Sequence, residues 1–245
     1  MMGINAAVEV RNLDFTYEEG PQILHRVSFS LPQGSLTAVI GLSGCGKSTL
    51  CHCLCGLIPQ ALGGELSGEI LLQGHDISGR PLAQLAQTIG LVMQNPDLQL
   101  VTTTVEDELA FAPENLCLSP AEIARRIERV LAWLNFEHLR LASPHDLSGG
   151  QKRLLAIGAV LTLEPQILVL DEPMSHLDQQ GQKLVKDALL ALLKEGCTII
   201  MVEHDWQIAT FADNWLVMID GRVSYFGPPA DILQDKDFLL QHNLL

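Results

Sequence analysis

Apolar and polar residues alternate with a period of two in several short stretches of the chain, as they do in β-strands. Residues 8–13 predict an edge strand, and residues 23–31 predict a second strand that ends in the turn-forming sequence after Leu31. Residues 35–40 predict a short apolar strand with glycine on both sides. Further strands are predicted for residues 67–73, 89–93, 167–170 and 198–202, and the alternation returns over residues 215–225.

Other stretches carry apolar residues at the three- and four-residue spacing of a helix. Residues 47–57 predict one helix and residues 182–195 another. Over residues 105–163 the pattern is helical, and Ser119 begins one of these helices, with proline at its first position and Glu122 at its third. Strands that alternate with helices predict a mostly parallel α/β sheet, and the helical middle region predicts an inserted subdomain.

The composition limits the class of protein. The chain has 245 residues, 47% of them apolar, and carries 15 Lys and Arg against 29 Asp and Glu, for a net charge of −14. This apolar fraction excludes a disordered chain, and the acidic balance counts against a free nucleic-acid binder, because binding phosphates needs basic residues. No run reaches the roughly 18 to 20 apolar residues of a membrane-spanning helix, and residues 1–19 carry no secretion signal. We therefore expect a soluble intracellular chain that offers a surface to a partner.

The six cysteines include no CxxC pair, which fits a reducing compartment. Cys51, His52, Cys53 and Cys55 are close enough in sequence to suggest a metal site. On a helix, however, positions 51 and 55 share a face while position 53 points elsewhere. We favour the alternative interpretation, in which these thiols are small buried side chains of a packed helix.

Residues 41–48 match the phosphate-binding pattern G-x-x-x-x-G-K-[ST], with a predicted strand before them and a predicted helix after them. Glycine lets the backbone fold around an anion, and the helix N-terminus adds partial positive charge. Lys47 is expected to reach the β- and γ-phosphates, and Ser48 to bind Mg²⁺. The alternative is a glycine-rich turn with a chance lysine. The predicted nucleotide contacts in this loop are Gly41, Ser43, Gly44, Cys45, Gly46, Lys47, Ser48 and Thr49.

Cys45 lies inside this electropositive loop. A positive environment lowers the pKa of a thiol and so increases its reactivity. We therefore expect a reactive Cys45 thiol that bound nucleotide shields.

An apolar strand over residues 167–170 ends in two carboxylates, Asp171 and Glu172. Phosphoryl transfer needs a metal held near the phosphates and a group that orients the attacking water. Asp171 suits the first role and Glu172 the second. The alternative is a capped turn after a core strand, which the phosphate loop makes less attractive.

A second glycine-rich helix start, residues 147–151, reads Leu-Ser-Gly-Gly-Gln and predicts a second anion site. One nucleotide does not need two such loops, but two chains arranged head to tail would each lend this loop to the other's nucleotide. These five residues match the signature motif of ATP-binding cassette (ABC) ATPases, and the chain resembles that family over nearly its whole length. The signature residues expected at the partner's nucleotide are Ser148, Gly149, Gly150 and Gln151.

The resemblance implies a RecA-like P-loop NTPase core with a mostly parallel sheet, an N-terminal antiparallel β subdomain and an inserted ABC-type α-helical subdomain. The implied boundaries divide a single ABC ATPase domain, residues 1–245. They place the core at residues 1–95 and 163–226, the helical subdomain at 96–162 and a C-terminal helical tail at 227–245.

The resemblance also assigns roles to single residues. Tyr17 matches the aromatic residue that stacks on adenine, and Gln94 matches the glutamine that touches Mg²⁺ and water. Asp178 matches the aspartate of the D-loop at the dimer interface, and His204 matches the histidine that contacts the γ-phosphate. Ordinary strand packing of Tyr17 and a helix-cap role of His204 stay open. His176 departs from the small residue usual in the D-loop.

Residues 93–100, 104–111 and 113–115 resemble the ATPase subunits of energy-coupling-factor (ECF) importers, which include the cobalt-type ATPases. A turn at residues 95–97 is the simpler interpretation of part of this stretch. The resemblance implies an ATPase that uses ATP and Mg²⁺ at the cytoplasmic face of the cell membrane. Its partners would be a second ATPase subunit, identical or different, a transmembrane coupling protein and a membrane substrate-binding protein for a vitamin, a vitamin precursor or a metal ion. The alternatives are a soluble ABC ATPase acting on nucleic acid or ribosomes, and a nucleotide-responsive subunit with a degenerate site.

Overall fold

A computed structural model describes residues 6–241. The first residues of the predicted core, 1–5, and the end of the predicted tail, 242–245, lie outside the described residues. The strands described are, in chain order, β1 (Ala6–Thr16), β2 (Gln22–Pro32), β3 (Leu36–Ile40), β4 (Glu65–Leu72), β5 (His75–Asp76), β6 (Ile89–Val92), β7 (Ile167–Asp171), β8 (Thr198–Glu203), β9 (Asn214–Ile219) and β10 (Arg222–Gly227).

The helices lie between and after these strands. They are, in chain order, α1 (Lys47–Leu54), α2 (Leu57–Gln60), α3 (Leu82–Leu85), α4 (Val105–Asn115), α5 (Pro120–Leu134), α6 (Gly149–Leu161), α7 (Gln179–Lys194), α8 (Pro229–Ile232) and α9 (Lys236–Gln241). None of the helices in residues 6–241 combines the length and the apolar character that crossing a membrane requires.

The first sheet is antiparallel, with the strand order β2-β1-β4-β5. Its strand β1 lies inside the sheet, since Val8 pairs with Leu31 on one side and Leu72 on the other. The prediction of an edge strand at residues 8–13 is therefore wrong. Alternation reports that one face of a strand is buried, and it does not report how many neighbouring strands the backbone pairs with.

The second sheet has the order β10-β9-β3-β8-β7-β6, and its strands run parallel apart from β10. The prediction of a mostly parallel sheet is confirmed. All five residues of β3 and all six of β8 are buried, as expected for strands covered on both faces. Because parallel strands end at one edge, the segments that follow β3, β6, β7 and β8 meet there.

The parallel sheet separates two apolar cores. Along β3, Leu36, Ala38 and Ile40 join the core that includes side chains of α4, α5, α6 and α7. Val39 belongs to the other core, which includes α1 and the antiparallel sheet. The sheet is thus held from both faces, which fixes the edge at which the functional segments meet.

The first helix is shorter than predicted. It ends at Leu54 rather than at residue 57, because Gly56 takes a left-handed conformation with φ 73° and breaks the helical path. The middle of the chain is helical as predicted, with α4, α5 and α6 lying between β6 and β7 in sequence. Ser119 caps α5 by accepting a hydrogen bond from the backbone N–H of Glu122, so the predicted helix start is confirmed.

Candidate functional site

The phosphate-binding loop connects β3 to α1 at the carboxyl edge of the parallel sheet. Gly46, with φ 101°, stands at the start of α1, and no side chain caps this helix. Gly41 packs so closely on the main chain of Met218 that a Cβ atom there would overlap the carbonyl oxygen. The first N–H groups of α1 therefore have no side-chain acceptor, which is the arrangement that binds anions at a helix start.

Lys47 is folded back into this loop and is 6% exposed. Its Nζ donates hydrogen bonds to the carbonyl oxygens of Gly41, at 2.6 Å, and Leu42, at 2.9 Å. The ammonium group thus lies in the concavity of the loop, where it can exchange backbone carbonyls for phosphate oxygens.

Ser48 and Asp171 bring the phosphate loop and the acidic strand together. Ser48 Oγ donates to Asp171 Oδ1 at 3.2 Å. Burial raises the pKa of Asp171, while the hydrogen bond from Ser48 lowers it. Within residues 6–241 no group of three or more His, Cys, Asp and Glu side chains could hold a metal by itself. A hydroxyl and a carboxylate fit Mg²⁺, which commonly takes one or two protein oxygens and completes its shell with water and phosphate.

Three predicted catalytic residues meet at the Glu172 carboxylate. Gln94 Nε2 donates to Glu172 Oε2 at 2.7 Å, and His204 Nδ1 lies 3.7 Å from the same oxygen. Glu172 has a left-handed backbone with φ 47°, and its N–H donates to the Val202 carbonyl oxygen. This arrangement places an acceptor for a proton between an amide and an imidazole, beside the Ser48–Asp171 pair.

Tyr17 lies next to the first turn of α1. Its hydroxyl is 3.3 Å from Thr49 Oγ1, and its ring packs edge-on against Phe15 with centroids 4.6 Å apart. The ring is half-buried, so it packs in the strand and also borders the phosphate loop. Stacking on adenine stays a prediction, as does the direct contact of Thr49 with nucleotide.

The signature loop is held by its own side chains. Ser148 Oγ accepts from the backbone N–H of Gln151 at 3.3 Å, and Gln151 Oε1 accepts from the N–H of Ser148 at 2.9 Å. Gly150 lies directly against Gly181 of α7, because a Cβ at position 150 would sit 3.1 Å from the Gly181 Cα. Within the described chain no hydrogen bond joins residues 147–151 to residues 41–48.

A cavity of about 470 Å³ separates the signature helix from the segments after β6 and β7. Its lining includes Gln94, Gly149 and His176. His176 is exposed and has a left-handed backbone with φ 60°, while Asp178 caps α7 by accepting from the Gly181 N–H at 2.8 Å. The predicted interface roles of Asp178 and of the signature residues stay predictions.

The pKa values of the cysteine thiols agree with one of the two expectations and disagree with the other. Cys45 is 8% exposed, and burial raises the pKa of its thiol although Lys47 acts in the opposite sense. This direction is opposite to the lowering expected from the positive loop, because desolvation of the thiolate has the larger effect, and the reactivity of Cys45 stays a prediction. Cys51, Cys53 and Cys55 are buried, with pKa values raised by burial, as the packing interpretation requires.

Two residues of this region were missed by sequence reasoning. Arg153 of α6 donates from Nη1 to the carbonyl oxygens of Met93, at 2.9 Å, and Gln94, at 2.5 Å, and so holds the segment that carries Gln94. Glu203, fully buried at the end of β8, accepts from the Met174 N–H at 3.2 Å. A carboxylate closing an apolar strand was a visible signal for Glu203, whereas nothing in the sequence distinguished Arg153 from a surface arginine.

The fold and this site define a nucleotide-hydrolysing P-loop protein of the ABC type. The family model described as "ABC transporter" matches residues 24–175, and the chain belongs to this family. It is an ATPase component that couples ATP hydrolysis to transport, and the predicted family and fold class are confirmed.

Individual relatives point in the same direction. The chain is 40% identical over 243 residues to the energy-coupling factor transporter ATP-binding protein EcfA of Carboxydothermus hydrogenoformans, covering 98% of this chain and 87% of that protein. It is 42% identical over 232 residues to a putative ABC transporter ATP-binding protein of Methanosarcina mazei; this match covers 94% of this chain but only 39% of that relative. The structure of CbiO1 from Clostridium perfringens, part of the ABC transporter complex CbiONQ, superposes with a TM-score of 0.85 at 35% identity, covering 98% of this chain and 95% of that one.

Proposed function

We propose that this chain is the ATP-hydrolysing subunit of an ECF-type importer, peripheral to the cytoplasmic face of the membrane, for a vitamin, a vitamin precursor or a transition-metal ion. The observation that carries the catalytic part is the meeting of Gln94 and His204 at the Glu172 carboxylate, next to the Ser48–Asp171 pair. The similarity to EcfA and CbiO1 supports the transporter class.

Nucleotide binding begins at the phosphate loop. The uncapped N–H groups of α1 receive the phosphates, and the Lys47 ammonium moves from the carbonyls of Gly41 and Leu42 to the β- and γ-phosphate oxygens. Ser48, Asp171 and the amide oxygen of Gln94 would hold Mg²⁺, which neutralises phosphate charge when bound.

The hydrolytic step is assigned to Glu172. A water attacks the γ-phosphorus, the bond from phosphorus to the bridging oxygen of ADP breaks, and the Glu172 carboxylate accepts the proton that the water loses. Gln94 fixes this carboxylate through its 2.7 Å hydrogen bond, and His204, whose Nδ1 lies 3.7 Å from the same oxygen, is proposed to contact the γ-phosphate. The acceleration comes mainly from positioning and electrostatics.

Two chains are proposed to close on two nucleotides, each signature loop completing the partner's site. Within the described chain no hydrogen bond joins residues 147–151 to residues 41–48, and this supports the arrangement. We keep the division into a core of residues 1–95 and 163–226, a helical subdomain of 96–162 and a tail of 227–245. The position of α4, α5 and α6 between β6 and β7 supports it.

The transmembrane coupling protein is proposed to dock beside the start of α4. Exposed apolar side chains occur here at Leu98, which is 69% exposed, Val101, at 64%, and Leu141, at 77%. Backbone hydrogen bonds from Val105 and Glu106 to the carbonyls of residues 142 and 140 hold the Leu141 segment against this start. A helix of a membrane partner would cover these side chains, and Gln94 links them to the nucleotide site.

The test of the catalytic assignment is Glu172→Gln, with Glu195→Gln, an exposed glutamate at the end of α7, as the matched control. The tagged chain is purified in its complex from detergent-extracted membranes. We expect Glu172→Gln to retain ATP binding, to lose turnover by about 100-fold or more and to trap a closed dimer. Normal ATP hydrolysis by this variant would contradict the choice of carboxylate.

The importer assignment is tested separately by mass spectrometry of the same purified complex. We expect two kinds of membrane protein in stoichiometric amounts besides the ATPase subunits. Recovery of the chain with ribosomal proteins or nucleic acid, and without membrane proteins, would contradict the importer and favour a soluble ABC ATPase.

A further inference from the structure

Two ionisable side chains are buried behind the nucleotide site. Arg153, on α6, is 3% exposed, and Glu203, at the end of β8, is 0% exposed. Neither has a role in the hydrolytic step described above. Burying a charge costs several kcal/mol unless hydrogen bonds and an opposite charge compensate it, so two such residues at one place call for an explanation.

The hydrogen bonds of these two residues go to the backbone of functional segments. Arg153 Nη1 donates to the Met93 and Gln94 carbonyl oxygens, which fixes the main chain from which the Gln94 side chain reaches Glu172. Glu203 Oε1 accepts from the N–H of Met174, in the turn that follows Glu172. The two residues thus hold the two backbone segments on either side of the catalytic carboxylate.

Burial and the opposite charge have opposing effects on the pKa values of both residues. The charge of Glu203 raises the pKa of Arg153 against the larger lowering by burial, and burial raises the pKa of Glu203 to about 8 although Arg153 acts in the opposite sense. Each keeps one buried polar atom without a hydrogen-bond partner in the described structure, Arg153 Nε and Glu203 Oε2. These two atoms show that hydrogen bonds compensate the burial of the two residues only in part.

We propose that Arg153 and Glu203 form one positioning unit, which transmits the placement of the signature helix to the contact between Gln94 and Glu172. Ser148 caps the start of α6, and Arg153 lies on the same helix about one and a half turns further on. A shift of the signature loop therefore also moves the guanidinium group of Arg153. Their hydrogen bonds hold the Gln94 segment and the Met174 turn on either side of the Glu172 carboxylate, so the loss of either residue displaces Gln94 relative to Glu172. This inference rests on the proposed function of Gln94 and Glu172.

A double-mutant cycle tests this unit in the complex purified from membranes. The variants are Glu203→Gln, which keeps the shape and an acceptor for the Met174 N–H, Arg153→Met, and the two combined. Thr162→Val is the matched control, because Thr162 is a fully buried polar residue at the end of α6 that contacts none of these segments. The readouts are kcat at saturating MgATP, the Kd for ATP and the melting temperature.

We expect each single variant to lower kcat by about 10- to 100-fold, the loss typical of a misplaced catalytic group, with the Kd for ATP within about twofold. The double variant should be no slower than the slower single variant, because either change breaks the same unit. Multiplicative losses in kcat, or losses that match those of Thr162→Val at equal melting temperature, would overturn the proposal.

Failure of this proposal is distinguishable from failure of the proposed function. If Glu203→Gln folds and retains the wild-type kcat while Glu172→Gln is inactive, the positioning unit is wrong and the catalytic assignment stands. If Arg153→Met does not fold, the result for Glu203→Gln alone decides whether the proposal stands, because this substitution leaves the side-chain volume nearly unchanged. Normal hydrolysis by Glu172→Gln would instead contradict the catalytic assignment itself.

Discussion

The two glycine-rich helix starts of this molecule satisfy their backbone N–H groups in different ways. At α1, Gly46 precedes the helix with φ 101° and no side chain caps it, while Lys47 bonds to the carbonyls of its own loop. At α6, Ser148 and Gln151 cap each other's backbone. The first loop therefore leaves backbone N–H groups available to an anion. The second loop is stabilised by its own side chains and can contact a second chain in that conformation.

The surroundings of the two loops differ in the same sense. The phosphate loop touches the acidic strand through Ser48 and Asp171, so it lies among groups that can hold and cleave a phosphate chain. The signature loop borders a cavity with Gln94 and His176, and its Gly149 is exposed. This difference supports the proposal that one loop binds the chain's own nucleotide and the other completes the partner's site.

The largest effect is expected from Lys47→Ala, which breaks the first loop. Loss of the only ammonium group that bonds inside this loop should reduce turnover by about 100-fold or more and weaken ATP binding as well. Turnover and equilibrium binding of a fluorescent ATP analogue measure the two effects. The control is Lys186→Ala, a lysine stacked over the Phe211 ring, and turnover equal to that of this control would contradict the account.

A different pattern is expected from Ser148→Arg, which blocks the second loop with a bulky side chain. ATP binding by the isolated chain should stay within about twofold of wild type, while turnover of the dimer falls by about 10-fold or more, because the serine is replaced where the partner's phosphate would lie. Ser119→Arg is the control, since Ser119 also caps a helix by its side chain, that of α5. Loss of ATP binding in Ser148→Arg would show that the signature loop serves its own chain.

The two loops are also expected to differ in how much their serine side chains contribute to the free energy of unfolding, and this effect is smaller. Ser148→Ala should lower the free energy of unfolding by about 1 kcal/mol, because it removes half of a capping box. Ser43→Ala, in the phosphate loop, should change it by less than about 0.5 kcal/mol, because Ser43 is exposed and no side chain caps α1. Urea unfolding of both variants measures the difference, and equal losses would remove the distinction between a capped and an uncapped helix start.

The smallest effect concerns the thiol of Cys45. Its pKa is raised by burial, so at a given pH less of it is thiolate and alkylation is slow. Mass spectrometry after limited alkylation should show Cys117, which is exposed, modified before Cys45. Faster modification of Cys45 would show that the loop charge outweighs burial after all.

Sequence reasoning predicted the parts of this molecule whose pattern is local. The phosphate loop, the acidic strand β7 and the Ser119 cap each follow from a few neighbouring residues, and the structure has them where expected. The inner position of β1 could not be predicted, because pairing depends on Leu31 and Leu72, which lie far along the chain. This failure concerns which strands pair with a segment, and not whether the segment forms a strand.

In the candidate site, too, local motifs were predicted and long-range packing was not. The motif residues that line it were named from the sequence, and Gln94 and His204 do approach Glu172. Arg153 was missed because its burial depends on how α6 packs under the Gln94 segment. The pKa of the Cys45 thiol was misjudged because burial is a property of the whole fold.

The central claim is that each signature loop serves the nucleotide of the other chain, and mixed dimers test it most directly. In one preparation, Lys47→Ala is on one subunit and Ser148→Arg on the other. In the second preparation, both changes are on one subunit and the partner is wild type. Tags of two kinds on the subunits allow each mixed dimer to be purified, and ATP turnover per dimer is compared with that of the two single-variant homodimers.

If the loops act across the interface, the first mixed dimer keeps one site in which both loops are intact, and the second keeps none. The account therefore predicts turnover in the first preparation well above that of either homodimer, and turnover in the second no higher than theirs. The reverse result, with activity only where a wild-type subunit is present, would show that each chain's signature loop acts on its own nucleotide and would contradict the account.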